Sequence, residues 1–237
     1  MRIATWNLER GGRKVAARAA QEAVLQKLGA DIIVLTEPPA SYQCRPGVVV
    51  SPAKRSGPKG GESWVAIVGP SVEPVALDIP FARMAVAATA LVGGTPVVVY
   101  GSVLPWGFFD RAAPELVLAG ETAEDAFRRL LREQAGDIAE LRRRHPEHIV
   151  IWAGDFNQTI SGPNYGGSNV KRDALLRALD ELGLVGWNAA AANAKDGMHA
   201  IDLICGPREV TVARQGRIDP VLDDMSMSDH AGYWVEF

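Results

Sequence analysis

The sequence predicts an α+β fold: mixed β-sheets packed face to face, with helices outside. Three observations carry that prediction. The chain opens strand–helix–strand, a βαβ-like unit whose crossover is expected to be right-handed. A meander of short β-rich runs separated by glycine and proline follows. Helical stretches with an apolar and a polar side then alternate with apolar strands, and such helices bury one stripe against a sheet.

The first strand covers about Arg2 to Asn7 and leads through Gly11-Gly12 into a helix from about Val15 to Leu28. Val15, Ala19, Ala23, Leu25 and Leu28 fall roughly on one face of that helix, and Gly29 suits its C-terminus. Asp31 to Thr36 supplies the second strand. Further β-rich runs stand at Gly47–Val50, Ser63–Val68, Pro74–Leu77, Ala82–Val92 and Thr95–Ser102, with Gly93-Gly94 a hairpin signal between the last two. A helix from about Thr122 to Arg144 turns Ala126, Leu130, Leu131, Ile138 and Leu141 inward and an arginine-rich face outward. Pro146 stops it before a strand at His148–Ala153, and a helix over about Val170 to Leu182 precedes three late strands. No repeat, low-complexity tract or linker interrupts this order, so one domain over 1–237 is expected.

Composition narrows the function classes. With 47% hydrophobic and 22% charged residues, the chain matches a soluble globular protein with a sizeable core. No apolar stretch reaches the roughly 18 residues a membrane span needs. The N-terminus passes from Met1-Arg2 straight into a strand, unlike a signal peptide. Cys44 and Cys205 are far apart and lack a metal-ligand pattern, so a reducing cytoplasm is the expected location. The 25 Lys and Arg are outweighed by 28 Asp and Glu, for a net charge of −3. Any polyanion binding must therefore rest on a local patch. No obligate protein partner is evident.

The chemistry lies where apolar runs meet polar residues. Five such places are Trp6-Asn7-Leu8-Glu9, Thr36-Glu37, Gly154-Asp155-Phe156-Asn157, Ile201-Asp202 and Ser228-Asp229-His230. A carboxylate at the end of a buried strand costs solvation unless it is paired or bound to a cation. Five of them suggest strands delivering oxygen ligands to one place, as a magnesium-type site requires. Asp155 and Asn157 project to one side if the strand continues, and otherwise form an Asp/Asn turn. Asp202 reads as an acid inside an apolar strand, and His230 beside Asp229 as an oriented base. Glu37 follows an entirely apolar strand with no Lys or Arg beside it.

In their order, these motifs resemble the endonuclease/exonuclease/phosphatase superfamily of deoxyribonuclease I and exonuclease III-like proteins. The resemblance runs from position 6 to position 230. It implies a four-layer α/β sandwich, two mixed sheets with helices outside and the site at one edge. It also implies phosphoester hydrolysis with Mg²⁺ or Mn²⁺. By the resemblance, Glu37 is the principal metal ligand with Asn7 and Glu9 nearby, although the family often has Asp where Glu9 stands. Asp155 orients the attacking water, Asn157 binds a phosphate oxygen, Asp202 holds the ring of His230, and Asp229 supports the metal or the histidine.

One departure stands out. Many relatives place a His or Tyr just after the strand that here reads Val97 to Ser102, and Ser102 or Val103 occupies that place. Either the group is absent or His199 replaces it; the alternative for His199 is a solvated loop. Two loops bear on the substrate: the cationic stretch 51–61, with Lys54, Arg55 and Lys59, and 161–169, where Tyr165 either stacks on a base or packs on its loop. Trp106, Phe108 and Phe109 line the cleft or join the core. A nuclease-type phosphodiesterase acting on DNA or RNA is the first reading. A phosphatase or phosphodiesterase for a small molecule or lipid headgroup is the second, and a catalytically weak binding relative the third.

Overall fold

The structure, a computed structural model, describes residues 1–9, 15–52, 62–77, 84–109 and 113–237. The Gly11-Gly12 turn, the start of the Ala82 run and the cations Lys54, Arg55 and Lys59 lie outside them. Fourteen strands are described: β1 (Arg2–Asn7), β2 (Ile32–Thr36), β3 (Val48–Val50), β4 (Val65–Val68), β5 (Glu73–Val75), β6 (Ala85–Val92), β7 (Thr95–Val103), β8 (Ile149–Asp155), β9 (Leu184–Gly186), β10 (Asp202–Pro207), β11 (Arg214–Ile218), β12 (Val221–Leu222), β13 (Met225–Ser226) and β14 (Gly232–Glu236). Three helices are described with them: α1 (Val15–Leu28), α2 (Ala123–Arg144) and α3 (Asn169–Glu181).

Two six-stranded sheets result, ordered β11-β14-β1-β2-β4-β3 and β5-β6-β7-β8-β10-β9, with β12–β13 a separate hairpin. Both are mixed, because β1 pairs parallel with β2 across α1, and β7 parallel with β8 across α2. The predicted sandwich is therefore present. Its inner faces meet closely at Gly101, where a Cβ would lie 2.8 Å from Val65 and 3.0 Å from Val34 of the other sheet. Ile3, Val34, Val65 and Ile67 join Val97, Val99, Ile151 and Ile204 in this interior.

Helices cover the outer faces. A capping box between Thr122 and Asp125 starts α2, satisfying backbone donors the first turn leaves open. The helix buries Ala126, Phe127, Leu130, Leu131, Ile138 and Leu141. Each large side chain is worth about 1.5–3 kcal/mol of transfer free energy. Gly93 and Gly94 take φ of +57° and +86°, and Val92 pairs with Thr95, so this hairpin forms as its glycines predict.

Two expectations need correction. In α1 the buried stripe is Ala17, Gln21 and Leu25, while Val15 is 87% exposed and Ala19 and Ala23 face solvent. The Gln21 amide donates to the Leu8 and Met227 carbonyls at 3.0 and 2.6 Å, and this tether sets the rotation of the helix. After α3 come six strands rather than three. The extra ones, among β11 to β13, are largely exposed and carry no apolar alternation.

Candidate active site

Sheet direction explains why distant residues meet. β1, β2 and β8 run toward one edge of the sandwich, and they end at Asn7, Thr36 and Asp155. β10 and β14 run the other way, antiparallel to β8 and β1, so their first residues start at the same edge. Asp202 is thus the first residue of β10, not an interior one, and it stands directly across from Asp155. His230 lies two residues before β14.

The contacts close into a network. A ring nitrogen of His230 and carboxylate oxygens of Asp155 and Asp202 all lie within 4.8 Å of one another. His230 Nδ1 is 2.6 Å from Asp202 Oδ2. Asn7 Nδ2 donates to Asp155 Oδ2 at 3.1 Å, bridging the two sheets. The Asn157 backbone N–H donates to Asp155 Oδ1 at 2.9 Å, and Asn157 Nδ2 to the Leu104 carbonyl at 3.0 Å. β8 ends at Asp155, so the turn reading holds for the backbone, yet Asn157 still sits beside the acid. Gly154 makes this possible, since a Cβ there would lie 2.0 Å from the Ser102 carbonyl oxygen.

Three residues at this edge adopt left-handed backbone: Glu9 at φ +45°, Glu37 at +47° and Asn157 at +50°. For non-glycine residues that conformation costs on the order of 1 kcal/mol or more each, so the surroundings must impose it. The Glu37 N–H is pinned to the Trp64 carbonyl at 3.0 Å, and the Glu9 N–H to Asn7 Oδ1 at 2.9 Å. The second of these bonds ties the Glu9 backbone to the network. Asp229 is at the rim, its carboxylate 69% exposed and 3.9 Å from His230 Nε2.

Electrostatics follow from burial. Asp155 is pushed up from the ordinary carboxylate range by desolvation and then by repulsion from Asp202; His230 and the donors from Asn157 and Asn7 partly offset this. Asp202 is raised by burial, relieved by His230, and raised again by the Asp229 and Glu37 charges. Burial works against a charged His230, but the Asp202 and Asp155 carboxylates outweigh it and hold the imidazole well above its usual range.

The donor set fits a hard divalent cation. It offers carboxylate and amide oxygens from Glu37, Asn7, Asp155, Asp202 and Asp229, and Asp202 Oδ1 is buried with no hydrogen-bond partner among the described residues. Acids this crowded need more positive charge than one imidazolium supplies.

The place of the absent His or Tyr is closed to solvent. Ser102 is buried and its Oγ accepts from Trp152 Nε1 at 2.8 Å, and Val103 is also buried. His199, the candidate replacement, has Nδ1 2.7 Å from Ser161 Oγ. Of the aromatics, Phe109 is fully buried, Trp106 packs half-buried on Trp64, and Phe108 is 68% exposed. Sequence reasoning overlooked three supports. Ser228 Oγ donates to the Asn7 carbonyl at 2.7 Å and accepts from the His230 N–H at 3.1 Å. Asn188 clasps β10, Nδ2 to the Asp202 carbonyl and Oδ1 from the Ile204 N–H. The Leu104 carbonyl fixes the Asn157 amide. Ser228 belongs to the Ser228-Asp229-His230 motif, although the sequence assigns it no role of its own; Asn188 has no local signal.

A sequence model described as Endonuclease/Exonuclease/phosphatase family matches residues 4–230. No curated protein matches the sequence. Among solved structures, the endonuclease domain of TRAS1, a telomere-specific non-LTR retrotransposon, aligns with a TM-score of 0.62 at 19% identity, covering 99% of this chain and 96% of that one. An endonuclease/exonuclease/phosphatase from Beutenbergia cavernae DSM 12333 aligns with a TM-score of 0.66 at 15% identity, over 99% of this chain and 70% of that one. A protein of the same family from Leptotrichia buccalis C-1013-b gives 0.62 at 15% identity, over 100% and 98%. At such identities the likeness is one of fold.

Proposed function

The chain belongs to the Endonuclease/Exonuclease/phosphatase family, and from that premise we propose that it is a divalent-metal-dependent phosphodiesterase acting on DNA or RNA. The whole of 1–237 acts as the one unit that carries the site. The observation behind this reading is the meeting of Asp155, Asp202 and His230 at an edge where Asn7 and Glu37 also arrive.

Mg²⁺ or Mn²⁺ would be held by Glu37 with Asn7, Asp229 at the rim and Glu9 nearby. When bound, it supplies Lewis-acid polarisation of the phosphoryl oxygen and offsets charge on the leaving group. The protein does the rest. Asp155, its two oxygens fixed by Asn7 and Asn157, accepts a hydrogen bond from the attacking water and aims it at phosphorus. The second N–H of the Asn157 side chain, held by Leu104, donates to a non-bridging oxygen. Asp202 binds His230 Nδ1 and stabilises the imidazolium, leaving Nε2 to donate to the phosphate.

The net charge of −3 favours a second reading, a phosphoesterase for a small molecule or lipid headgroup. One screen separates the two and tests the chemistry. Wild type and Asp155→Ala are assayed with Mg²⁺ or Mn²⁺ on abasic duplex, single-stranded DNA, RNA, an aryl phosphodiester and inositol phosphates. The expected result is oligonucleotide cleavage that needs the ion and is largely lost in the variant. Activity that survives a chelator contradicts the proposal.

A further inference from the structure

Two loops continue past the sheet edge from the Asp155–Asp202 pair: residues 158–168 after β8 and 187–200 before β10. Both are fastened to the site. The Thr159 N–H donates to the Tyr165 carbonyl and the Tyr165 N–H to Thr159 Oγ1, each at 3.0 Å. Gly166, at φ +83°, lies so close to the preceding turn that a Cβ there would be 2.6 Å from the Asn157 carbonyl oxygen. Tyr165 is therefore held against the segment that carries Asn157. On the other loop, Tyr233, which feels the Asp202 charge, donates from Oη to the Ala192 carbonyl at 3.0 Å.

The loops are also sewn to each other. Ser161 Oγ donates to the Ala189 carbonyl at 2.6 Å and meets His199 Nδ1 at 2.7 Å. Across this seam the exposed Lys195 sets Nζ 4.8 Å from the centroid of the half-buried Tyr165 ring. The result is a braced wall that presents one ring and one cation beside the candidate phosphate site. Elsewhere at this edge the polar side chains of the described residues are mainly acidic.

Resting on the nuclease reading above, we propose that Tyr165 and Lys195 form a subsite for the nucleotide next to the scissile phosphate. The ring stacks on its base and the ammonium pairs with its phosphate. A tyrosine face accepts any base, and a lysine on its four-carbon stem swings from ring to phosphate at little cost because an exposed cation–π contact is weak. The pair thus supplies the local positive charge that the acidic overall balance denies the chain.

The test compares kcat/KM on oligothymidylate with kcat/KM on methyl para-nitrophenyl phosphate, both with Mn²⁺. In Tyr165→Ala the oligonucleotide-to-aryl-ester ratio falls about 10–100-fold, and Tyr165→Phe keeps it within about threefold of wild type. In Lys195→Gln the dependence of log kcat/KM on log salt becomes shallower by about 0.7 for single-stranded DNA. Equal loss on both substrates in Tyr165→Ala means a merely structural tyrosine and overturns the subsite. An unchanged salt slope in Lys195→Gln overturns the lysine's part. Wild type that hydrolyses the aryl ester but no oligonucleotide brings down the nuclease reading, and the subsite with it.

Discussion

Two buried acid sites lie on opposite faces of the second sheet, and they are built for different ends. On the helix side, Asp137 of α2 accepts from Tyr100 Oη at 2.7 Å. On the inner side, at the edge, Asp155 and Asp202 face each other with His230 between. Burial raises the pKa in both places, to about 6 for Asp137. The first acid is answered by one neutral hydroxyl on a neighbouring element, with ordinary backbone around it. The second pair is joined by strand ends from the whole length of the chain, flanked by left-handed residues, and left with the unpartnered Asp202 Oδ1. Burial of an acid alone therefore does not mark function. Convergence under strain, with an oxygen still unspent, is what sets the second site apart.

The sharpest way to break this contrast is to neutralise one acid on each side. Asp155→Asn should lower phosphodiester turnover by about 10²–10⁴-fold. In metal-free buffer the same change should raise stability by on the order of 1 kcal/mol, because it relieves two facing carboxylates, as a thermal melt would register. A variant both inactive and destabilised would make Asp155 structural. Asp202→Asn, which keeps the volume but weakens the hold on His230, should cost about 10²–10³-fold in kcat with little change in the melt.

The Asp137 side should respond in stability. Its folded pKa is raised above the unfolded value near 4, so its contribution is fully present below pH 4 and is lost as pH rises through about 6. The loss should approach about 3 kcal/mol, and Asp137→Asn should flatten that part of a urea-denaturation pH profile. Tyr100→Phe removes the donor from a buried carboxylate and should cost about 1–3 kcal/mol at pH 8. Turnover in that variant should stay near wild type. If it falls in step with Asp155→Asn, the two sites are coupled and the contrast fails.

Much of the fold and candidate site was legible because burial dictated it. β1, β2, β7 and β8 are apolar, β-branched runs that no surface element would carry, and their polar endings name Asn7, Glu37, Asp155 and Asn157. Asp202 reads from the sequence as an acid inside an apolar strand, and the structure makes it the first residue of β10; His230 reads as an oriented base beside Asp229. What stayed hidden depends on tertiary contact. A glutamine, not an apolar stripe, orients α1 through the Leu8 and Met227 carbonyls. The hairpin β12–β13 turns on Asp223 and Asp224, both at positive φ, where a glycine would have announced it. The grip of Asn188 on β10 joins positions 14 and 16 residues apart and leaves no local pattern.

Crystals grown with Mn²⁺ and measured for anomalous scattering test the central claim most directly. A peak among the oxygens of Glu37, Asn7 and the neighbouring acids, absent from Glu37→Ala crystals, is the predicted result. Saturating Mn²⁺ with no anomalous signal at the edge where β1, β2, β8, β10 and β14 meet would contradict it.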